Sequence, residues 1–137
     1  MGKVNKIEYI TIASTGNATD FGDLTVATNY GQSASTSVRG VRAGGTDGSA
    51  TNVIDYVTIA STGDAADFGN LTVARSQSYG GMSDSTRGVF GGGTNPDNVT
   101  IDYITIATTG NAADFGDMSV QTGDTTNISD SHGGLSG

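Results

Sequence analysis

Apolar residues in this chain fall into short, phased segments that return at a fixed interval. Ile7 to Ala13, Ile54 to Ala60 and Ile101 to Ala107 are rich in Ile, Val, Thr and Tyr and contain neither Pro nor Gly, which is the profile of β-strands. Tyr9 shares one face with Ile7, while Ile10 and Ile12 take the other, as suits a strand covered on both sides. Next come Thr15-Gly16-Asn17, Thr62-Gly63-Asp64 and Thr109-Gly110-Asn111. Gly followed by Asn or Asp can supply the positive φ of a two-residue hairpin turn, so the chain is expected to reverse there. The returning strands hold Leu24-Thr25-Val26, Leu71-Thr72-Val73 and Met118-Ser119-Val120. Between turn and strand lies Asp20-Phe21-Gly22-Asp23 or its equivalent, where the glycine allows a bulge and the phenylalanine an anchoring side chain. No useful length of chain places apolar residues at helical spacing.

The pattern repeats. Tyr9, Tyr56 and Tyr103 are 47 residues apart, as are Phe21, Phe68 and Phe115, and residues 5–27 match residues 52–74 at 17 of 23 positions. The intervening segments also correspond: SVRGVRAGGTD aligns with STRGVFGGGTN, Arg39 with Arg87, and Tyr30 beside Gly31 with Tyr79 beside Gly80. Each period then holds about four short strands, and a four-stranded unit repeating every 40 to 50 residues is the pattern of a propeller blade. A β-solenoid is the rival. Its coils usually have shorter periods, and hairpin turns inside each copy argue against continuous parallel winding.

A strand ending in glycines, Val89-Phe90-Gly91-Gly92-Gly93, followed by one carrying a tyrosine, Ile101-Asp102-Tyr103, resembles the kelch repeat of β-propellers. Kelch repeats normally place a Trp after the Tyr. This chain has none, and what the resemblance implies is that Phe21, Phe68 and Phe115 are expected to fill that role from a more distant position. The wording IDYITIATTGNAADFGD, with TRGVFGGG and SDSHGGL, is also similar to kelch-like repeats in predicted tail-fibre and virion proteins of marine bacteriophages. The expected fold is therefore all-β: a β-propeller of four-stranded antiparallel blades with a 47-residue repeat and three blades per chain.

The phase of the repeat divides the single repeat domain, 1–137, into four parts: 5–27 as the second half of a blade, 28–74 and 75–120 as full blades, and 121–137 as the first half of a blade completed by another chain. Propellers typically close with four to eight blades. A homodimer with strand exchange, making a six-bladed ring, is the expected partner arrangement.

Composition narrows the function. Six Lys and Arg against 14 Asp and Glu give a net charge of −8, which disfavours nucleic acid as a partner. The start of the sequence lacks the apolar core of a signal peptide and no run reaches membrane-spanning length, so the reading is a protein made in the cytoplasm without a signal peptide, with no membrane partner. With no Cys and His132 as its single histidine, the chain offers no His cluster or triad. The repeated Asp-Phe-Gly is not accompanied by other kinase motifs, and its acidic residues suit a turn better than a calcium site. No catalytic, cofactor or metal residue is assigned.

Structural roles fall to Tyr9, Tyr56, Tyr103, Phe21, Phe68, Phe115, Arg39 and Arg87, the arginines expected to pair with Asp55 or Asp102 or with carbonyls at blade junctions. Tyr30 and Tyr79 are the candidate ligand-binding residues, able to stack on sugar rings. The expected function is a non-catalytic structural or binding module of a phage virion or tail fibre, its partners being itself and a host-surface glycan or other virion proteins. The alternatives are a lectin-like carbohydrate binder and an engineered or amplified propeller fragment with no ligand.

Overall fold

The computed structural model describes residues 2–77, 80–94, 96–123 and 127–129. Among them it is all-β, with ten strands in three antiparallel sheets. The first sheet pairs β1 (Lys6–Tyr9) with β2 (Thr19–Asp23). The second runs in spatial order through β3 (Gln32–Ser35), β4 (Arg39–Ala43), β5 (Thr51–Thr58) and β6 (Ala66–Arg75). The third runs likewise through β7 (Gly81–Ser83), β8 (Arg87–Gly91), β9 (Thr100–Thr105) and β10 (Ala113–Asp117).

Each phenylalanine of the repeat sits at a bulge. Ile7 faces Gly22 while Glu8 faces Asp20, Ile54 faces Gly69 while Asp55 faces Asp67, and Ile101 faces Gly116 while Asp102 faces Asp114. Phe21, Phe68 and Phe115 are thus the extra residues, and the bend turns each ring edge-on to the tyrosine of its own sheet. The Tyr9–Phe21, Tyr56–Phe68 and Tyr103–Phe115 centroids lie 6.1, 5.7 and 6.0 Å apart, within the range favoured for edge-to-face aromatic pairs.

The core lies where the second and third sheets meet. Ala34, Val41, Ile54, Phe68, Leu71, Phe90, Ile104 and Ile106 are buried, with Tyr56 packed against them. Strand β3 lies against β7 and β8, and β6 against β9 and β10. Small residues permit this approach, since a Cβ on Gly88 would stand 3.1 Å from that of Ala34. Gln32, fully buried on β3, donates from Nε2 to the carbonyls of Gly80 (2.6 Å) and Gly91 (2.7 Å) in the third sheet. The polar backbone of the inner strands is thereby satisfied across the junction as well as within each sheet.

The Gly-Asn and Gly-Asp segments do not form two-residue hairpin turns. Strand β5 ends at Thr58 and β6 begins at Ala66, so the reversal occupies a longer loop, with its turn at Ile59–Ala60. Gly63 and Asp64 are drawn away from the local reversal because they bond to the neighbouring sheet, as described next.

Candidate functional site

The recurring polar geometry of this molecule lies between sheets. Gly63 N–H donates to the Phe21 carbonyl (2.7 Å) and Ala65 N–H to that of Asp23 (2.8 Å), while the Asp64 carboxylate accepts from Asp23 N–H at 3.0 Å. The same clip joins the next two sheets: Gly110 N–H to Phe68 carbonyl (2.8 Å), Ala112 N–H to Asn70 carbonyl (2.8 Å), and Asn70 N–H to the Asn111 side-chain oxygen (3.0 Å). Glycine is required beneath each clip. Gly22 and Gly69 have φ of 154° and 148°, and a Cβ on either would fall 2.2 or 2.4 Å from the carbonyl oxygen of Gly63 or Gly110.

Beside each clip a threonine hydroxyl reaches across to a buried carboxylate, Thr25 to Asp55 and Thr72 to Asp102. Each carboxylate also holds a guanidinium, but from different strands. Asp55 takes Arg42, directly opposite it on β4 (2.9 Å), and Arg42 also donates to the Thr28 hydroxyl. Asp102 faces Phe90 in the matching register and takes Arg75, from the end of β6, instead. Arg75 further donates to the carbonyls of Phe90 and Thr100, each at 3.2 Å. Burial pushes the Asp102 carboxyl up and the Arg42 and Arg75 guanidinia down, ahead of the attraction between the partners. Sealed from solvent, the Asp102–Arg75 pair holds strands together and has no access for proton transfer to a bound molecule.

Arg39 and Arg87 do not pair with Asp55 or Asp102, whose guanidinium sites are filled by Arg42 and Arg75. Arg39 meets a junction carbonyl, that of Ile106 at 2.9 Å, and its guanidinium lies 4.5 Å from the centre of the Tyr56 ring. Arg87 covers Tyr103 in the same way at 4.7 Å. Each arginine thus caps the Tyr–Phe pair of its own sheet. Sequence reasoning missed Arg42 and Arg75. The signal that marks them is an arginine at whichever of two strand positions its counterpart copy leaves neutral, Thr28 opposite Arg75 and Arg42 opposite Phe90.

Tyr30 is exposed and has a left-handed backbone, φ 61°. The residue sharing that conformation in the next copy is Gln77, φ 51°, and both follow bridge residues, Asn29 with Thr46 and Ser76 with Thr94. Tyr30 therefore matches Gln77 in place. Tyr79 and His132 lie outside the described residues, as does most of 121–137. A cleft of about 560 Å³ opens among the three sheets, lined in part by Ile7, Leu24, Ala34, Tyr56, Met82 and Ile128. Among the described residues, no three His, Cys, Asp or Glu side chains converge as a metal site requires, and no helix is long and apolar enough to cross a membrane.

No protein-family model matches the chain, and no curated protein matches it in sequence.

Proposed function

We propose that this chain is a non-catalytic structural and binding module: a β-propeller segment in which β1–β2 form the second half of a blade and the two four-stranded sheets are whole blades, with a second copy completing a six-bladed ring. One observation carries the reading. Ser83 Oγ donates to the Ser35 carbonyl (2.9 Å) and accepts from Ser35 N–H (3.2 Å), and Ser129 Oγ repeats this on Ser83, donating at 2.8 Å and accepting at 3.2 Å. Matching residues of β3, β7 and the 127–129 segment thus meet one after another, as the inner strands of successive blades do around a propeller axis. Among the described residues every strand pair is antiparallel, which speaks against the parallel winding of a solenoid.

The kelch-like and phage-like segments of the sequence support a place in a virion or tail fibre, with a host-surface glycan or another virion protein as the bound partner. The acidic surface supports a partner other than nucleic acid. Electron-microscopic class averages of the purified protein test the architecture. Six radial sectors are the expected view; an elongated stack without a central axis overturns it. Binding to host envelopes, absent for an unrelated acidic β-protein, is the expected functional result, and a lack of binding together with measurable turnover would overturn the non-catalytic reading.

A further inference from the structure

We propose that the two open faces of this chain are the two halves of one more junction, and that they dock head to tail between copies. The Gly16-Asn17-Ala18 loop of one copy clips onto the Phe115–Asp117 edge of the other. The number of copies rests on the six-bladed reading above; the contact itself rests on the junctions already present inside the chain.

The clip has a loop half and an edge half. The loop halves are 63–65 and 110–112, and the edge halves are Phe21–Asp23 and Phe68–Asn70. At the 47-residue interval the chain carries a third loop half, Gly16-Asn17-Ala18, and a third edge half, Phe115-Gly116-Asp117. Within one copy they do not meet. A Cβ on Gly116 would find no atom within 4 Å among the described residues, where those on Gly22 and Gly69 fall 2.2 and 2.4 Å from the carbonyl of a docked loop, although Gly116 keeps the φ of its counterparts, 142°. The backbone of the edge is thus already shaped for a loop that one copy does not supply.

The apolar surfaces agree. Ile104 and Ile106, on the loop-bearing face of the third sheet, are 2% and 0% exposed, whereas their counterparts Ile10 and Ile12 are 62% and 95% exposed. On the edge-bearing side Phe68 is 3% exposed and Phe115 54%. At the junction of the second sheet with β1–β2 the counterpart Ile59 is 47% exposed, so it is the junction between the two four-stranded sheets whose buried surface the open faces display, and those two faces are complementary. The cross-sheet hydroxyl–carboxylate contact also has its third pair, with both members altered in compensating directions. Thr25–Asp55 and Thr72–Asp102 become Ser119 and Glu8, a hydroxyl without its methyl facing a carboxylate one methylene longer.

The expected register follows: Gly16 N–H to the Phe115 carbonyl, Ala18 N–H to the Asp117 carbonyl, and Asp117 N–H to the Asn17 side-chain oxygen. Such a contact is heterologous, so each copy uses both faces, and two copies close if the rotation sums to a full turn.

The chain has no cysteine, so engineered pairs report the contact cleanly. Asn17→Cys with Asp117→Cys should give, under mild oxidation, covalent dimers on a denaturing gel. Asn70→Cys with Asn111→Cys, the same geometry within one chain, should lose both thiols while staying monomeric on that gel. Ile12→Glu, at a position exposed in the single copy, should leave the circular dichroism unchanged and move the light-scattering mass from two chains to one. If the internal pair oxidises and the 17/117 pair does not, while the mass remains that of two chains, the register is overturned and the dimer survives. A folded monomer by mass, with no cross-link, overturns both. Cross-linked ladders beyond the dimer uphold the contact and overturn the two-copy ring.

Discussion

Replacing Asp102 with alanine should be among the most damaging single changes in the third sheet, because the side chains of Arg75 and Asp102 are both fully buried. The truncation leaves a guanidinium in the interior without a countercharge, which typically costs about 3–5 kcal/mol, and it removes the acceptor of the Thr72 hydroxyl. The carbonyls of Phe90 and Thr100 remain as acceptors for Arg75 and keep the loss toward the lower end of that range. Asp55→Ala is the internal comparison. Arg42 is partly open to solvent, its side chain 15% exposed, so the cost there should be about 1–3 kcal/mol, closer to that of lost charge-assisted hydrogen bonds. Arg75→Met combined with Asp102→Leu should fall within about 1–2 kcal/mol of the parent, since no unpaired charge is left. Urea unfolding followed by circular dichroism at one fixed protein concentration measures each term, the fixed concentration being needed because association contributes to stability. An Asp102→Ala cost no larger than that of Asp55→Ala would refute the reasoning.

Phe68→Ala should cost about 3–5 kcal/mol in urea unfolding, since the ring is buried between sheets. Phe115→Ala should cost about 1 kcal/mol within one chain, from its edge contact with Tyr103, and should lower the light-scattering mass. Gly69→Ala forces a side chain onto φ 148° and against the Gly110 carbonyl within one copy, so it should lower the melting temperature, whereas Gly116→Ala, which shares the φ but has no such clash within one copy, should lower the light-scattering mass; an unchanged melting temperature for Gly69→Ala would count against the clip. Asp84 accepts from the N–H groups of Thr86 (2.7 Å) and Arg87 (2.6 Å), which hold its carboxyl below the ordinary value. Its contribution is present above the unfolded-state value and lost as pH falls through the folded one, so Asp84→Ala should lower the neutral melting temperature and flatten its decline on acidification.

What could be read from the sequence was whatever depends on a residue's own sheet. Tyr9, Phe21 and their counterparts recur at one interval because the bulge brings each pair together locally, and β-branched runs mark strands wherever they pack. Contacts between sheets were hidden. Gly63-Asp64 carries the composition of a hairpin turn, yet its hydrogen bonds go to Phe21 and Asp23, some 40 residues earlier, and no local propensity encodes that. The backbone conformation of Tyr30 recurs at Gln77, while Tyr79 lies outside the described residues. The repeat interval is 47 residues at Thr28 and Arg75 but 48 at Arg39 and Arg87, so the added residue enters between them.

The arginines show why a repeat in space need not be a repeat in sequence. A buried carboxylate at Asp55 or Asp102 fixes a demand for one guanidinium near it, but that demand concerns a point in the junction and not a particular strand. Two segments pass within reach of each such point, and the chain satisfies it once from each: at Asp55 from Arg42 on β4, with Thr28 alongside, and at Asp102 from Arg75 at the end of β6, with Phe90 alongside. Two arginines at one site would leave a positive charge unpaired, and none would leave the carboxylate buried alone, so the two positions have to change together. A copy-by-copy alignment records this as two unrelated differences, whereas the coordinates show a single exchange that keeps charge and hydrogen bonding balanced at the junction. The Thr25–Asp55 and Thr72–Asp102 contacts lie one contact away, and in the proposed contact between copies Ser119 and Glu8 change together by the same logic. Constraint in this fold therefore acts on the junction between neighbouring sheets, which is the unit an added copy of the chain would have to reproduce.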